Sequence, residues 1–419
     1  MLSRSSAPTM KNRLSNPQIL LAVAAAFTVC ALARAQVDPA ATGGVPKLDY
    51  SVSYSQTASF YSNNSPSQER GVLYGDLNYA NGRQHSPLDL TYSGGYIFGI
   101  SGPQSDTGVF QHLRLSQGYF ERKWGAIVSD EVSYSPVSPT VGFSGIPGVG
   151  DLSGLPDIPN GTIVNSRTLY NISEGTFTRS LNSGTTLDVN GNYAINRYPA
   201  GAALETNALG VGPEITWRIG GLSSISLQYR FSRFSYVSTS FALDTQSIQP
   251  GYVRTWNRRF TTSVSAGPEW IRSNSSLVVP SSTGIAGSAW ASYESRAFLA
   301  TARYHREVSS GMGYGTEIGV HNNDASLSLS QGFGRNVSVN ASGSYLKTQS
   351  LLQSGVTTAE FGGVNVARQM GRSISVSAGY TALQQSSTLV LPTTAQAGLN
   401  QVIAFSIAYH PRENHAIGK

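Results

Sequence analysis

The chain has a single cysteine in 419 residues, Cys30, and it lies inside an apolar stretch near the start. No thiol follows it, so the rest of the chain has neither a disulfide framework nor a thiolate metal site. Charge is scarce as well. Asp, Glu, Lys and Arg make up 12% of the residues, about half the roughly 25% usual in soluble domains. Long apolar runs are also missing. After the first 35 residues none reaches eighteen, so no membrane helix is expected there. The six histidines, at 85, 112, 305, 321, 410 and 415, include no pair at ligand spacing on one strand. No metal or other cofactor is therefore expected.

What is present is a period of two. In Val337–Tyr345 (VSVNASGSY), Ile374–Tyr380 (ISVSAGY) and Ile403–Tyr409 (IAFSIAY), every second residue is apolar or aromatic and the others are small or polar. On a strand those two sets face opposite ways. Segments of this kind begin near Leu48, Gly71, Pro87, Val109, Gly125, Ile163, Thr185, Ala208, Ser224, Thr245, Phe260, Ala286, Ala297, Tyr314, Asn336, Thr357, Ser373 and Asn400. Their connections alternate between tight turns and longer links rich in Gly, Ser, Pro and Asn. Short turns on one side and long loops on the other are the signature of a transmembrane antiparallel β-barrel. Eighteen strands are expected, with sixteen or twenty as the outcome of one miscounted hairpin.

The start of the chain fits export. Residues 1–18 carry Arg4, Lys11 and Arg13 and no acid; Ile19–Leu32 is apolar; Ala33-Arg34-Ala35 is a cleavage site of the A-x-A type. This predicts a secretory signal peptide over 1–35. Val29 before Cys30 does not suit a lipid-anchor signal. Removing the segment takes away four basic residues and leaves 25 Lys+Arg against 23 Asp+Glu. A balance that close to zero implies no nucleic-acid partner. A short periplasmic segment, 36–47, would precede a barrel over 48–410. Residues 411–419 would form a periplasmic tail. So short a leading segment leaves no room for an N-terminal plug domain.

Aromatic residues give a second line of inference. Strands returning to the periplasm should end near Tyr79, Tyr119, Phe177, Trp217, Trp256, Tyr293, Phe333 and Tyr409. Outgoing strands carry Tyr134, Tyr193, Trp270, Tyr304, Tyr345 and Tyr380 towards their far ends. Two rings of aromatics at the two membrane boundaries account for both sets.

On this pattern, and on the last strand VIAFSIAYH, the chain resembles bacterial outer-membrane β-barrels of the porin type. It departs from them in that Tyr409 is followed by ten further residues. The resemblance implies the bacterial outer membrane and a channel for passive diffusion of small hydrophilic solutes or ions. The expected partners are outer-membrane lipid, the outer-membrane assembly machinery and those solutes, with homo-oligomerisation left open. Two other readings stand beside it: a loop-closed barrel acting as a surface-binding or structural protein, and a barrel-borne lipid or peptide hydrolase, for which no catalytic group is singled out.

Charges inside the strands mark the candidate lumen. An Arg or Lys facing lipid at mid-membrane costs about 2–4 kcal/mol, so strand charges should point inward. By alternation the basic lining would be Arg114, Arg218, Arg230, Arg303 and His305, and the acidic lining Asp89, Asp188, Glu214 and Glu269. The 27 residues Pro136–Thr162, rich in Gly and Pro, predict a long external loop, either folded into the lumen or standing outside it.

Overall fold

The structure is a computed structural model. It describes residues 46–62, 67–101, 107–135, 167–198, 205–237, 239–275, 279–309, 319–334, 336–351, 355–388 and 398–411. The expected signal segment 1–35, all but the end of segment 36–47, the expected external loop 136–162 and the expected tail after Pro411 lie outside the described residues.

The strands are β1 (Lys47–Tyr61), β2 (Gln68–Ala80), β3 (Leu88–Ser101), β4 (Gly108–Phe120), β5 (Trp124–Ser135) and β6 (Thr168–Asn182). They continue as β7 (Thr185–Arg197), β8 (Thr206–Arg218), β9 (Ser223–Tyr236), β10 (Ala242–Asn257), β11 (Phe260–Ser273) and β12 (Ser282–Glu294). The last six are β13 (Phe298–Ser309), β14 (Val320–Phe333), β15 (Val337–Ser350), β16 (Val356–Met370), β17 (Ile374–Ser387) and β18 (Gly398–Tyr409). Each pairs antiparallel with the next, and β18 pairs with β1 through Val52↔Tyr409 to Tyr61↔Asn400, which closes the sheet. The chain is one antiparallel barrel of eighteen strands. Strand starts fall within three residues of expectation with few exceptions. Expected starts Ile163 and Tyr314 are not among the described residues; β6 and β14 begin at Thr168 and Val320. β12 begins at Ser282, four residues early, because Ser282–Gly284 is recruited by pairing with Ile271–Glu269 on β11. Its Ser, Thr and Gly carry no apolar alternation to announce a strand.

The period of two sorts the wall. On β1, Ser51, Ser53, Ser55, Thr57 and Ser59 are buried on the inner face, while Val52, Tyr54 and Phe60 are exposed on the outer. Ladder partners carry the same parity around the barrel. Every aromatic of the two expected rings lies on the outer face by this register, with Phe333 and Tyr409 more than half exposed. At the tight turns, Gly334 and Gly371 take positive φ with open space beside them, a geometry that turns strongly at little cost only for glycine. A closed sheet satisfies its backbone internally and presents an apolar, aromatic-ringed outside, which is the only form in which β-structure crosses a bilayer. The chain has the architecture of a membrane-spanning β-barrel.

The lumen as candidate functional site

The register puts all nine sequence-selected charges on the inner face. Asp89 on β3 stands opposite Ser116, and Arg114 on β4 opposite Glu131 on β5. Asp188 on β7 and Glu214 on β8 are direct cross-strand neighbours, and Thr178 donates to Asp188 at 2.6 Å. Arg218 stands opposite Ser224 on β9. Arg230 on β9 lies beside Ser247 on β10, which is beside Glu269 on β11. Arg303 and His305 on β13 oppose Trp290 and Ser288 on β12.

These residues fall into separate groups. Arg230, His305 and Glu269 converge with Glu307, which the sequence reading did not single out. Arg230 Nη1 reaches Glu307 Oε2 at 2.6 Å, and His305 Nε2 lies 3.0 Å from the same oxygen. Asp188 and Glu214 form a second group. Arg114 borders a third, where His112 Nε2 lies 3.1 Å from Glu131 Oε1. Asp89, Arg218 and Arg303 are exposed on the inner face of the half nearer the short turns. Asp76, also missed, accepts from Ser51 at 3.0 Å and Ser93 at 2.6 Å and ties β1, β2 and β3 together.

The half nearer the long loops has a different lining. Three buried apolar groups face inward there. Val72, Tyr74, Ile97 and Phe110 form one on β2–β4. Leu346, Ala359, Phe361 and Leu383 form another on β15–β17, with Val402 against it. The third gathers Phe234, Tyr236, Phe241, Leu243, Ile271, Val279 and Val308. The lumen therefore has a polar, charged and accessible half on the short-turn side and a tightly packed half, the outer one, on the long-loop side. Among the described residues no group of His, Cys, Asp and Glu could hold a metal ion.

Contrary to the expectation that strand charges point inward, several lie on the opposite side of the wall, among them Arg233 and Asp244, paired at 3.7 Å, and Lys347, Glu360 and Arg368. Asp130 on β5 also faces outward between Leu115 and Ser173, six residues from Trp124 and four from Tyr134. Its carboxylate accepts from Ser173 at 2.6 Å and Asn171 at 3.2 Å.

No family model matches the chain. A stretch of 65 residues is 37% identical to GTP cyclohydrolase FolE2 of Pseudomonas putida, covering 16% of this chain and 21% of that enzyme. So short a match shows no family. Among solved structures, the chain is similar to OccK2 (OpdF) of Pseudomonas aeruginosa in complex with glucuronate, at 8% identity and a TM-score of 0.46, over 88% of this chain and all of the other. OccAB3 of Acinetobacter baumannii aligns at 10% identity and a TM-score of 0.44, over 87% of this chain and 99% of the other. The ferric citrate transporter FecA aligns at 11% identity and a TM-score of 0.44 over 85% of this chain, which spans 63% of FecA. The barrel described above rests on the chain's own strand pairing.

Proposed function

We propose that the protein is an outer-membrane channel for passive diffusion of small hydrophilic solutes or ions. The observation that carries this reading is the polar inner face of the half on the short-turn side, with Asp89, Arg218 and Arg303 exposed on it. Barrels of about this strand number leave an aqueous interior unless something fills it. Transport needs no energy source in this reading; the gradient drives it. Selectivity comes from width and from lining charge. Both signs line the wall, so ion preference should be weak, with a permeability ratio within about a few-fold of one.

A second reading is favoured by the buried apolar groups of the outer half: a closed barrel whose external surface does the work. Single-channel recording of the purified protein in a planar bilayer, with reversal potential across a salt gradient, separates the two. Discrete conductance steps with a small reversal potential support the channel. Absence of steps in a correctly folded barrel refutes it and leaves the closed barrel.

A further inference from the structure

The wall has a seam between β12 and β13. Their ladder runs from Glu294↔Leu299 to Gly287↔Arg306 and stops. Beyond that point Ser282–Ala286 stays in register with β11, and Glu307–Ser309 with β14. The outer end of β13 has moved inside the barrel. Val308 N–H donates to Glu269 Oε1 on β11 at 3.2 Å. His321 on β14 lies over β12, its Cε1 3.2 Å from where a β-carbon of Gly284 would stand. Arg230 on β9 grips Glu307 across three intervening strands.

Alternation gives Arg306, Val308 and His321 to the lipid face. The fold-over instead lays Val308 and His321 against the inner face of β10–β12. Val308, 3% exposed, joins the group around Leu243 and Ile271. Gly319, just before β14, sits against Leu243 and Leu351, and the Tyr236 hydroxyl hydrogen-bonds the Gly319 backbone. The overlap thus joins β9–β11 to β13–β15 across the outer lumen. It also leaves polar atoms unmet: Glu269 Oε2, Arg306 Nε and His321 Nδ1 are buried without a hydrogen-bond partner among the described residues. Buried groups of this kind weigh against the state that holds them.

A second arrangement is already implied by the register. Continuing the β12–β13 ladder one residue at a time sets Glu307 beside Ala286, Val308 beside Ile285 and Ser309 beside Gly284. Ile285, now 59% exposed on the lipid face, would gain an apolar cross-strand neighbour. Glu307 would stay on the lumen side. Arg306, eight residues beyond Phe298, would lie high enough to extend its head towards the outer headgroups.

We propose that the outer ends of β13 and β14 are a gate made from the barrel wall. Tucked inside, as here, they narrow the lumen; zipped onto β12, they widen it. Glu269 and Arg230 are positioning residues that hold the tucked form. The gate rests on the channel reading, and its test separates the two.

The experiment uses full-length protein in a Cys30→Ser background, assembled in outer membranes, with the gate pair Ile285→Cys/Val308→Cys and the control pair Ala291→Cys/Ala302→Cys. The control residues already face each other in the β12–β13 ladder, so that disulfide should form in every barrel. The gate pair can close only in the zipped arrangement, because in the tucked one Ile285 points outward and Val308 inward. Oxidation of the gate pair should raise single-channel conductance at least two-fold, reversed by dithiothreitol. Adding Glu269→Ala should increase the fraction cross-linked. Glu269→Gln, which keeps the acceptor for Val308, should not. A gate pair that stays reduced while the control pair closes, even with Glu269→Ala, overturns the gate, as does a gate disulfide that leaves conductance unchanged. No current from any form, wild type and control included, overturns the channel reading itself.

Discussion

Leu327 and Ser328 are adjacent on β14 and face opposite ways. Leu327 lies on the outer wall between Ala302 and Gly343, 48% exposed. Ser328 lies on the inner wall between Thr301 and Ser342. Leu327 is six residues from Phe333 in the aromatic ring at the short-turn end, about 20 Å along a strand rising roughly 3.4 Å per residue. At a tilt of about 40° that is roughly 15 Å in height, near the middle of an apolar band about 25 Å tall. Leu327→Arg should therefore meet nearly the full midplane cost of about 2–4 kcal/mol. That is a factor of roughly 30 to 1,000 in the folding equilibrium. Ser328→Arg places the same charge in a polar interior and should cost less than about 1 kcal/mol. Urea titration of folding into phospholipid vesicles, followed by tryptophan fluorescence, measures both. A Ser328→Arg cost equal to or above that of Leu327→Arg would refute the assignment of faces.

Three further outcomes are expected. Asp76→Ala strands the hydroxyls of Ser51 and Ser93, both buried, and should destabilise folding by about 1–3 kcal/mol in the same titration; Asp76→Asn, which keeps an acceptor, should lose less. At Gly267 an added β-carbon would stand 1.8 Å from the Ile248 carbonyl oxygen, whereas at Gly175 it would meet nothing within 4 Å. Gly267→Ala should cost about 1–3 kcal/mol or block assembly, and Gly175→Ala should change neither stability nor the yield of folded barrel. Unheated protein in detergent should migrate differently from boiled protein on a gel, because a closed sheet has no free edge from which to open; identical migration would contradict the closed barrel.

Much of the wall was legible because alternation and turn spacing are local. Trp217, Tyr304 and Phe405 declared the outer face through their own strands, and the charges opposite them declared the inner one. Asp130 and Glu131 were legible too, though unread: neighbouring residues on a strand point to opposite faces, so one of two consecutive acids had to face lipid. Asp130 does, sheltered by Ser173 and Asn171. Glu307 lay one alternation step beyond Arg303 and His305. Other features had no local signal. Val72, Tyr74 and Asp76 share one face, so apolar character alone could not mark that face as inner. The fold-over of β13 depends on Glu269, Gly284 and Arg230, which come from three other strands, and no spacing within β13 encodes it.

In the proposed channel the two halves of the lumen would act in series, and this decides which residues could govern passage. In a series path the narrower part dominates resistance, and in the proposed tucked state of the gate that part would be the outer half, where Val308, Leu243 and Ile271 pack together. Exposed charges below it, such as Arg218 and Arg303, set the local concentration of ions but face little of the resistance. The Arg230–Glu307 pair stands apart, since it lies at the join of the two halves and opposite charges in contact cancel most of each other's field on a passing ion. Releasing β13 would act twice: it would shift the resistance down to the polar half, and it would uncover Arg230 as a lining cation. In the proposed gated channel, conductance and ion preference would therefore be coupled through one strand end, whereas in a uniformly wide pore they would vary independently.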